Sequence, residues 1–367
     1  MTTPDPAAAA ASEVKDAKPE DADDAPLLQF KDVSLTYRTA EGEVPAVRGV
    51  NLTVEAGEVL GLAGESGCGK STLASTVLRL QPKSAKVTGE ILLNGQNTQT
   101  MRWGRLRAVR WSAASVVFQG AMHSLDPLKK IGKQLSEPML LHKIAPDEKS
   151  ANESVRELLA QVGLPPRAAT AYPHQLSGGQ KQRVMIALAL ACDPKLIVAD
   201  EPTTALDVMV QAQVLKLIGS IVKERGVGMM IISHDLSVLG TECDRVAVMY
   251  AGRIVEQGPA QAVFRDALHP YSRALSGAFP TIGDPASRYA PEGLQGDPPD
   301  PAALPDGCAF HPRCARAFDG CDRDDPTLLP LATDPGRLVA CRLYTEPDAP
   351  GRDSGAGSSA VSQGVSS

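Results

Sequence analysis

The sequence has no run of about 18 or more apolar residues, the length a membrane-spanning helix needs. The best stretches, residues 184–191 and 214–222, are too short or broken by polar side chains, so the chain is not expected to cross a bilayer by itself. It also lacks a basic excess: the formal net charge is -6. A nucleic-acid partner would be expected to leave a basic footprint, and no basic insertion, long coiled coil or internal repeat stands in for one. Residues 1–26 lack the basic start and apolar stretch of a secretory signal and read as a solvated tail rich in Ala and Asp. Without an export signal, the seven cysteines are expected in a reducing compartment, which argues against a disulfide framework.

What is present is ample for folding. The 367 residues are 43% hydrophobic, enough for one substantial core and a smaller appended unit. Residues 27–37 alternate apolar and polar side chains, as in a strand half exposed to water. Short apolar runs at 59–62, 115–118, 196–199 and 229–233 read as buried strands separated by helical stretches, which is the pattern of a parallel α/β sheet. Residues 245–256, interrupted by Ala251 and Gly252, read as a hairpin. Between about residues 120 and 176 strand signals vanish, and Val155, Leu158, Leu159 and Val162 share one helical face, so a helical insertion is expected there. After residue 279 the chain turns rich in Pro, Gly and Asp, which sets an expected boundary between a main domain, 27–279, and an extension, 280–344. Residues 345–367 read as a Gly/Ser tail.

The sharpest motif is Gly64-Glu65-Ser66-Gly67-Cys68-Gly69-Lys70-Ser71, followed by Thr72. It fits G-x-x-x-x-G-K-[ST], after an apolar strand and before a helical pattern, the context this loop requires. Its glycines let the backbone wrap a phosphate chain so that N–H groups face the anion. Lys70 is expected to reach the β and γ phosphates, and the Ser71 hydroxyl to hold Mg²⁺. Cys68 reads as a loop residue.

Two further segments suit the same chemistry. Residues 196–199 are apolar and are followed by Asp200 and Glu201, so a buried strand delivers paired carboxylates to the sheet edge where phosphates should lie. Asp200 is expected to help fix Mg²⁺, and Glu201 to orient or deprotonate the water that attacks the γ-phosphate. Leu176-Ser177-Gly178-Gly179-Gln180 precedes a helix carrying Lys181 and Arg183 and offers a second helix start suited to phosphate.

Together these segments resemble the ATP-binding cassette (ABC) family, whose signature is the pentapeptide at 176–180 and whose acidic strand is 196–201. That resemblance implies a P-loop ABC fold: a RecA-like α/β core, an antiparallel β subdomain and a helical subdomain. It also implies that Gln119 serves a Q-loop and holds Mg²⁺ with Ser71 and Asp200. Asp207 would belong to a D-loop, His234 would be a catalytic switch histidine, and Tyr37 would stack on adenine. In this family two cassettes pair head to tail, so Ser177, Gly178, Gly179 and Gln180 are expected to act on the partner's ATP. Residues 269–275, 307–314 and 118–127 further resemble the ATPases of oligopeptide/dipeptide importers, although Gly120 and Ala121 depart from the acidic-Pro pair expected after Gln119. The resemblance then implies a paralogous ATPase, two transmembrane permeases and an extracytoplasmic substrate-binding protein as partners, at the cytoplasmic face of the membrane. Alternatives are an importer of nickel or another small solute, or a soluble ABC ATPase acting on nucleic acid or ribosomes.

Cys308, Cys314, Cys321 and Cys341 fall in one Pro-rich segment too poor in apolar residues for a core of its own. A cross-link would supply the missing order. Four cysteines suit a [4Fe-4S] cluster or a structural zinc, the latter with His311 as a possible ligand; unligated thiols are the third reading. None of the spacings is the close C-x2-C of a zinc ribbon. Within the peptide-importer ATPases, such a set resembles one implicated in cluster binding. Cys192 and Cys243 lie with apolar segments and read as small core residues.

Overall fold

The computed structural model describes residues 25–118, 120, 124–202, 208–278 and 294–345. The chain opens with β1 (Leu28–Thr39), β2 (Gly42–Val54) and β3 (Val59–Ala63), then α1 (Lys70–Thr76), β4 (Ala85–Leu93), β5 (Gln96–Asn97), α2 (Trp103–Ser112) and β6 (Ala114–Val117). Three helices follow, α3 (Ile131–Leu141), α4 (Glu148–Gln161) and α5 (Gly178–Leu190). Next come β7 (Leu196–Asp200), α6 (Val208–Arg225), β8 (Gly228–Ser233), α7 (Leu236–Glu242), β9 (Arg245–Tyr250) and β10 (Arg253–Pro259). The last elements are α8 (Ala260–Arg265), α9 (Pro270–Gly277), β11 (Leu329–Leu331), β12 (Asp334–Val339) and α10 (Arg342–Thr345).

The strands form two sheets, one ordered β2-β1-β4-β5 and one ordered β11-β12-β10-β9-β3-β8-β7-β6. In the larger sheet β3 pairs in parallel with both β8 and β9, and β7 with β8 and β6. Residues of β3 and β7 are buried throughout, which is why they read as unbroken apolar runs. Side chains nevertheless alternate between faces. Val59, Ala63, Ile197, Ala199, Met229 and Ile231 belong to one core, with the helices α3 to α6. Leu60, Leu62, Leu196, Val198, Met230 and Ile232 belong to the other, with α1 and the smaller sheet.

The helical insertion forms as its pattern implies: Val155, Leu158, Leu159 and Val162 are all buried. The Asp147 carboxylate caps α4 by accepting the Ser150 N–H at 2.8 Å. The helical pattern after the phosphate loop forms α1, which starts at Lys70 and ends at Thr76, and the hairpin turns at Ala251 and Gly252, which have φ of 46° and 84°. Two adjacent positive φ values are what a tight two-residue hairpin needs. Among the described residues no helix is long and apolar enough to cross a membrane.

The expected boundary near residue 280 lies outside the described residues, as do residues 1–24 and 346–367 of the tails. From 294 onward the extension is built onto the main sheet: β12 pairs with β10 through Glu256–Val339 and Gln257–Leu338. Ala309 and Phe310 are buried in the main core. The Phe310 ring meets Tyr250 edge-on at 5.3 Å and Tyr271 at 5.4 Å.

Candidate nucleotide-binding site

Where β3 runs into α1, the chain bends around a cavity of about 420 Å³. Residues 65–72 line it together with Tyr37, Val44, Pro45 and Ala46 from the smaller sheet and Glu201 from beyond β7. The β9–β10 turn and four residues of the extension complete the walls. The loop holds its shape because two glycines sit where no side chain fits. A Cβ on Gly64, at φ 151°, would drive into the Met249 carbonyl, and one on Gly69, at φ 108°, into that of Ala46. Both φ values lie where L side chains are rare.

Lys70 is buried, and its Nζ donates to the carbonyls of Gly64 and Glu65, each at 2.8 Å. The Tyr37 hydroxyl donates to Thr72 Oγ1 at 3.3 Å, fastening the aromatic ring of β1 to the start of α1. Cys68, read as a loop residue, is buried, and burial pushes its thiol pKa above the ordinary value against the pull of nearby Lys70.

The Asp200 carboxylate lies beside the Ser71 hydroxyl, and its Oδ1 is buried without a hydrogen-bond partner. Burial, the largest influence, raises the Asp200 pKa, and the Ser71 hydroxyl opposes it. A buried, unsatisfied carboxylate oxygen beside a hydroxyl is a donor set that fits a hard divalent cation. One residue on, Glu201 takes φ 45°, unusual for a side-chain-bearing residue, and its N–H donates to the Ile232 carbonyl at 3.0 Å. That bend aims Glu201 at the cavity, and non-glycine residues in this region carry strain that clusters at functional sites. His234 lies between β8 and α7, with Nδ1 at 3.5 Å from Glu201 Oε1. Asp235 caps α7, accepting the N–H groups of Ser237 and Val238, which fixes the chain immediately after His234.

Residues 47–204 match the ABC transporter family, and residues 255–321 match the oligopeptide/dipeptide transporter C-terminal region. The oligopeptide transport ATP-binding protein OppD of Salmonella typhimurium is 42% identical over 317 residues, covering 86% of this chain and 93% of that protein. A putative peptide import ATP-binding protein of Brucella abortus is 41% identical over 327 residues, covering 88% and 97%. This chain belongs to the ABC transporter ATPases of the oligopeptide/dipeptide class. The fold agrees with a solved bacterial ABC transporter cassette, MJ0796, whose structure is dimeric; the TM-score is 0.58 at 29% identity, covering 64% of this chain and 98% of that one.

Other sequence-derived site residues of this ABC ATPase lie elsewhere. Ser177 and Gln180 form a reciprocal cap at the start of α5: the Ser177 N–H donates to Gln180 Oε1 at 3.0 Å and the Gln180 N–H to Ser177 Oγ at 3.3 Å. Neither they nor Gly178 and Gly179 line the nucleotide cavity of their own chain. Gln119 and Asp207 lie outside the described residues. Sequence reasoning missed Tyr271, whose hydroxyl accepts the Glu65 N–H at 2.7 Å, and Arg313, whose guanidinium pairs with the Glu65 carboxylate at 2.7 and 3.1 Å. No local signal marks these contacts, because the partners are 206 and 248 residues apart.

Cys308, Cys314, Cys321 and Cys341 surround one small cavity with Phe310, His311 and Phe318. The Cys308 N–H donates to the Cys321 carbonyl at 2.8 Å. Burial pushes the Cys308 thiol pKa up to about 11 and that of Cys341 up to about 12. All four are free cysteines. The expectation of a ready metal centre is not met: among the described residues, no group of three or more His, Cys, Asp or Glu side chains is placed to hold a metal ion. The cysteines converge, but as half-buried thiols set by separate turns rather than as a closed ligand shell.

Proposed function

We propose that this chain is the ATP-hydrolysing subunit of an importer of di- and oligopeptides, with its own nucleotide held at residues 64–72. One observation carries the reading: Ser71, with Asp200 beside it, and Glu201, with His234 beside it, line one cavity with the phosphate loop, in a chain whose C-terminal region is of the oligopeptide/dipeptide type.

In this reading Lys70 and the loop N–H groups bind the phosphates, and Tyr37 stacks on the base. Ser71, Asp200 and Gln119 would hold Mg²⁺, which when bound neutralises charge on the β and γ phosphates. Glu201 orients a water in line with the γ-phosphorus and takes its proton as the water oxygen bonds to phosphorus. The β–γ bridging bond breaks, and its electron pair leaves with ADP. His234 holds Glu201 in the required orientation. The outward position of Ser177, Gly178, Gly179 and Gln180 supports their serving ATP bound to a second cassette, as does the dimeric state of the related cassette. Asp207 would work at that same interface.

The chain would then act with a paralogous ATPase, two transmembrane permeases and an extracytoplasmic binding protein, peripheral to the cytoplasmic face of the membrane. Reconstitution of that assembly tests the proposal. ATP hydrolysis should rise when the binding protein is loaded with peptide, and a rise with nickel instead would reassign the cargo.

A [4Fe-4S] cluster on Cys308, Cys314, Cys321 and Cys341 is a second reading for the extension. It is supported by the convergence of four cysteines on one cavity, a donor set that suits iron–sulfur and zinc alike. It requires the thiols to approach one another and lose their protons.

A further inference from the structure

The phosphate loop accounts for one end of a bound nucleotide, but part of the cavity wall comes from outside the cassette. Pro298, Pro299, Pro301 and Leu304 of the extension face the same cavity as Tyr37. Pro298 and Pro301 are exposed, Pro299 and Leu304 are half-buried, and Leu304 belongs to neither hydrophobic core. Their apolar surface is therefore turned to the cavity and not to the protein interior. A cavity with a polar phosphate loop on one side and Tyr, Pro and Leu on the other suits a ligand with an anionic end and a flat apolar end.

This strap is stiff and anchored. Prolines restrict its backbone, and Asp300 closes a turn by accepting the Ala302 N–H at 2.9 Å on Oδ1 and the Ala303 N–H at 3.0 Å on its carbonyl. Pre-ordering of this kind lowers the entropy cost of gripping a ligand. Its root is held by Arg313. Nε donates to the Gln295 carbonyl at 2.9 Å and Nη2 to that of Gly296 at 2.9 Å. The remaining donors go to Glu65, at 2.7 Å from Nη1 and 3.1 Å from Nη2, and to the Tyr250 hydroxyl at 3.3 Å. All five N–H groups of the guanidinium are thus used, on a side chain only 7% exposed. A single buried residue joins the second residue of the phosphate loop to the strap, two residues before Pro298. The same pairing keeps the Glu65 carboxylate from standing uncompensated beside a triphosphate.

We propose that the extension completes the nucleotide site: residues 295–304 form the wall that grips the base of ATP beside Tyr37, and Arg313 is the positioning residue that fastens this wall to Glu65. The proposal rests on the reading that ATP binds at residues 64–72. It makes the extension responsible for the base-dependent part of nucleotide affinity and leaves the phosphate-dependent part to the cassette.

The test is binding of Mg-ATP and of Mg-tripolyphosphate, which has no base, to the full-length chain by calorimetry. Leu304→Asp and the exposed double variant Pro298→Asp/Pro301→Asp should weaken ATP about tenfold and leave tripolyphosphate within about twofold. Arg313→Lys, which keeps the charge and loses the fork, should follow the same pattern. The double variant alters exposed positions, so it keeps the test valid if Leu304→Asp does not fold. Unchanged ATP affinity in the double variant, or an equal loss of both ligands, would overturn the wall. Lys70→Ala reports on the underlying reading: it should weaken both ligands, and a Lys70→Ala protein that binds ATP normally would remove the site itself.

Discussion

His234 Nδ1 stands 3.5 Å from Glu201 Oε1, at the ends of two neighbouring strands, β8 and β7, that pair in parallel through Asp200 and Ile232. The sheet register therefore sets the distance between the two residues assigned to the hydrolytic step. Glu201→Gln should retain ATP binding within about threefold and lose at least about 100-fold in turnover, since it keeps the shape and removes the base. Steady-state ATPase assays beside equilibrium binding would decide it; near-normal hydrolysis would sink the assignment of Glu201.

Asp200→Asn should raise the Mg²⁺ concentration for half-maximal ATPase activity about tenfold or more, because it weakens a ligand charge at a buried cation site. A Mg²⁺ titration at saturating ATP reads this directly. An unchanged midpoint would place the cation elsewhere.

Acid should destabilise the protein through His269. This residue is buried at the start of α9, where Nδ1 accepts the Tyr271 N–H at 3.0 Å, and burial lowers its pKa from 6.5 to about 3. The neighbouring Glu256 carboxylate accepts the His269 N–H and pairs with Arg337. The unfolded chain takes up the imidazole proton first, so this contribution is fully present above pH 6.5 and is lost as pH falls toward 3. The expected slope is about 1.4 kcal/mol per pH unit below 6.5. His269→Asn, which can still cap the helix, should show a shallower slope in urea denaturation between pH 7.5 and 5.5. Equal slopes would show that His269 carries none of it.

Anaerobically purified protein decides between the readings of the four cysteines. About four iron and four acid-labile sulfide per chain would identify the cluster. Stoichiometric zinc without iron would replace it, and neither metal would leave the four as structural thiols.

Much of the phosphate end of the site was legible because its signals are contiguous. Residues 64–71 carry their own strand, loop and helix context, and Asp200 and Glu201 end an unmistakable apolar run. Tyr37 and His234 needed the family resemblance, since neither is distinctive alone; both reach the site in the fold, Tyr37 through Thr72 and His234 through Glu201. The partners of the smaller sheet were less legible. β2 carries Pro45 and Gly49, and its pairing with β1 shifts register three times, which blurs the period-two pattern. α2 includes Arg110 and Trp111 in non-helical conformations, Trp111 at φ 76°, and local propensity gives no warning of that break. Arg313 and Tyr271 fall in segments that carry the family resemblance, but their contacts with Glu65 were invisible, because the completed sheet alone brings these partners near. The cysteines show the opposite failure, in which a local cluster was legible and its convergence real, yet the spacing among the thiols was not.

The pairing of β12 on β10 also bears on how this protein can be handled. A chain cut near residue 279 would leave the N–H and C=O groups of β10 open along one side and uncover the hollow filled by Phe310. Exposed strand edges invite pairing with other chains. The extension therefore acts as a selvedge for the sheet: a trimmed cassette would be prone to self-association, and its poor behaviour would say nothing about catalysis.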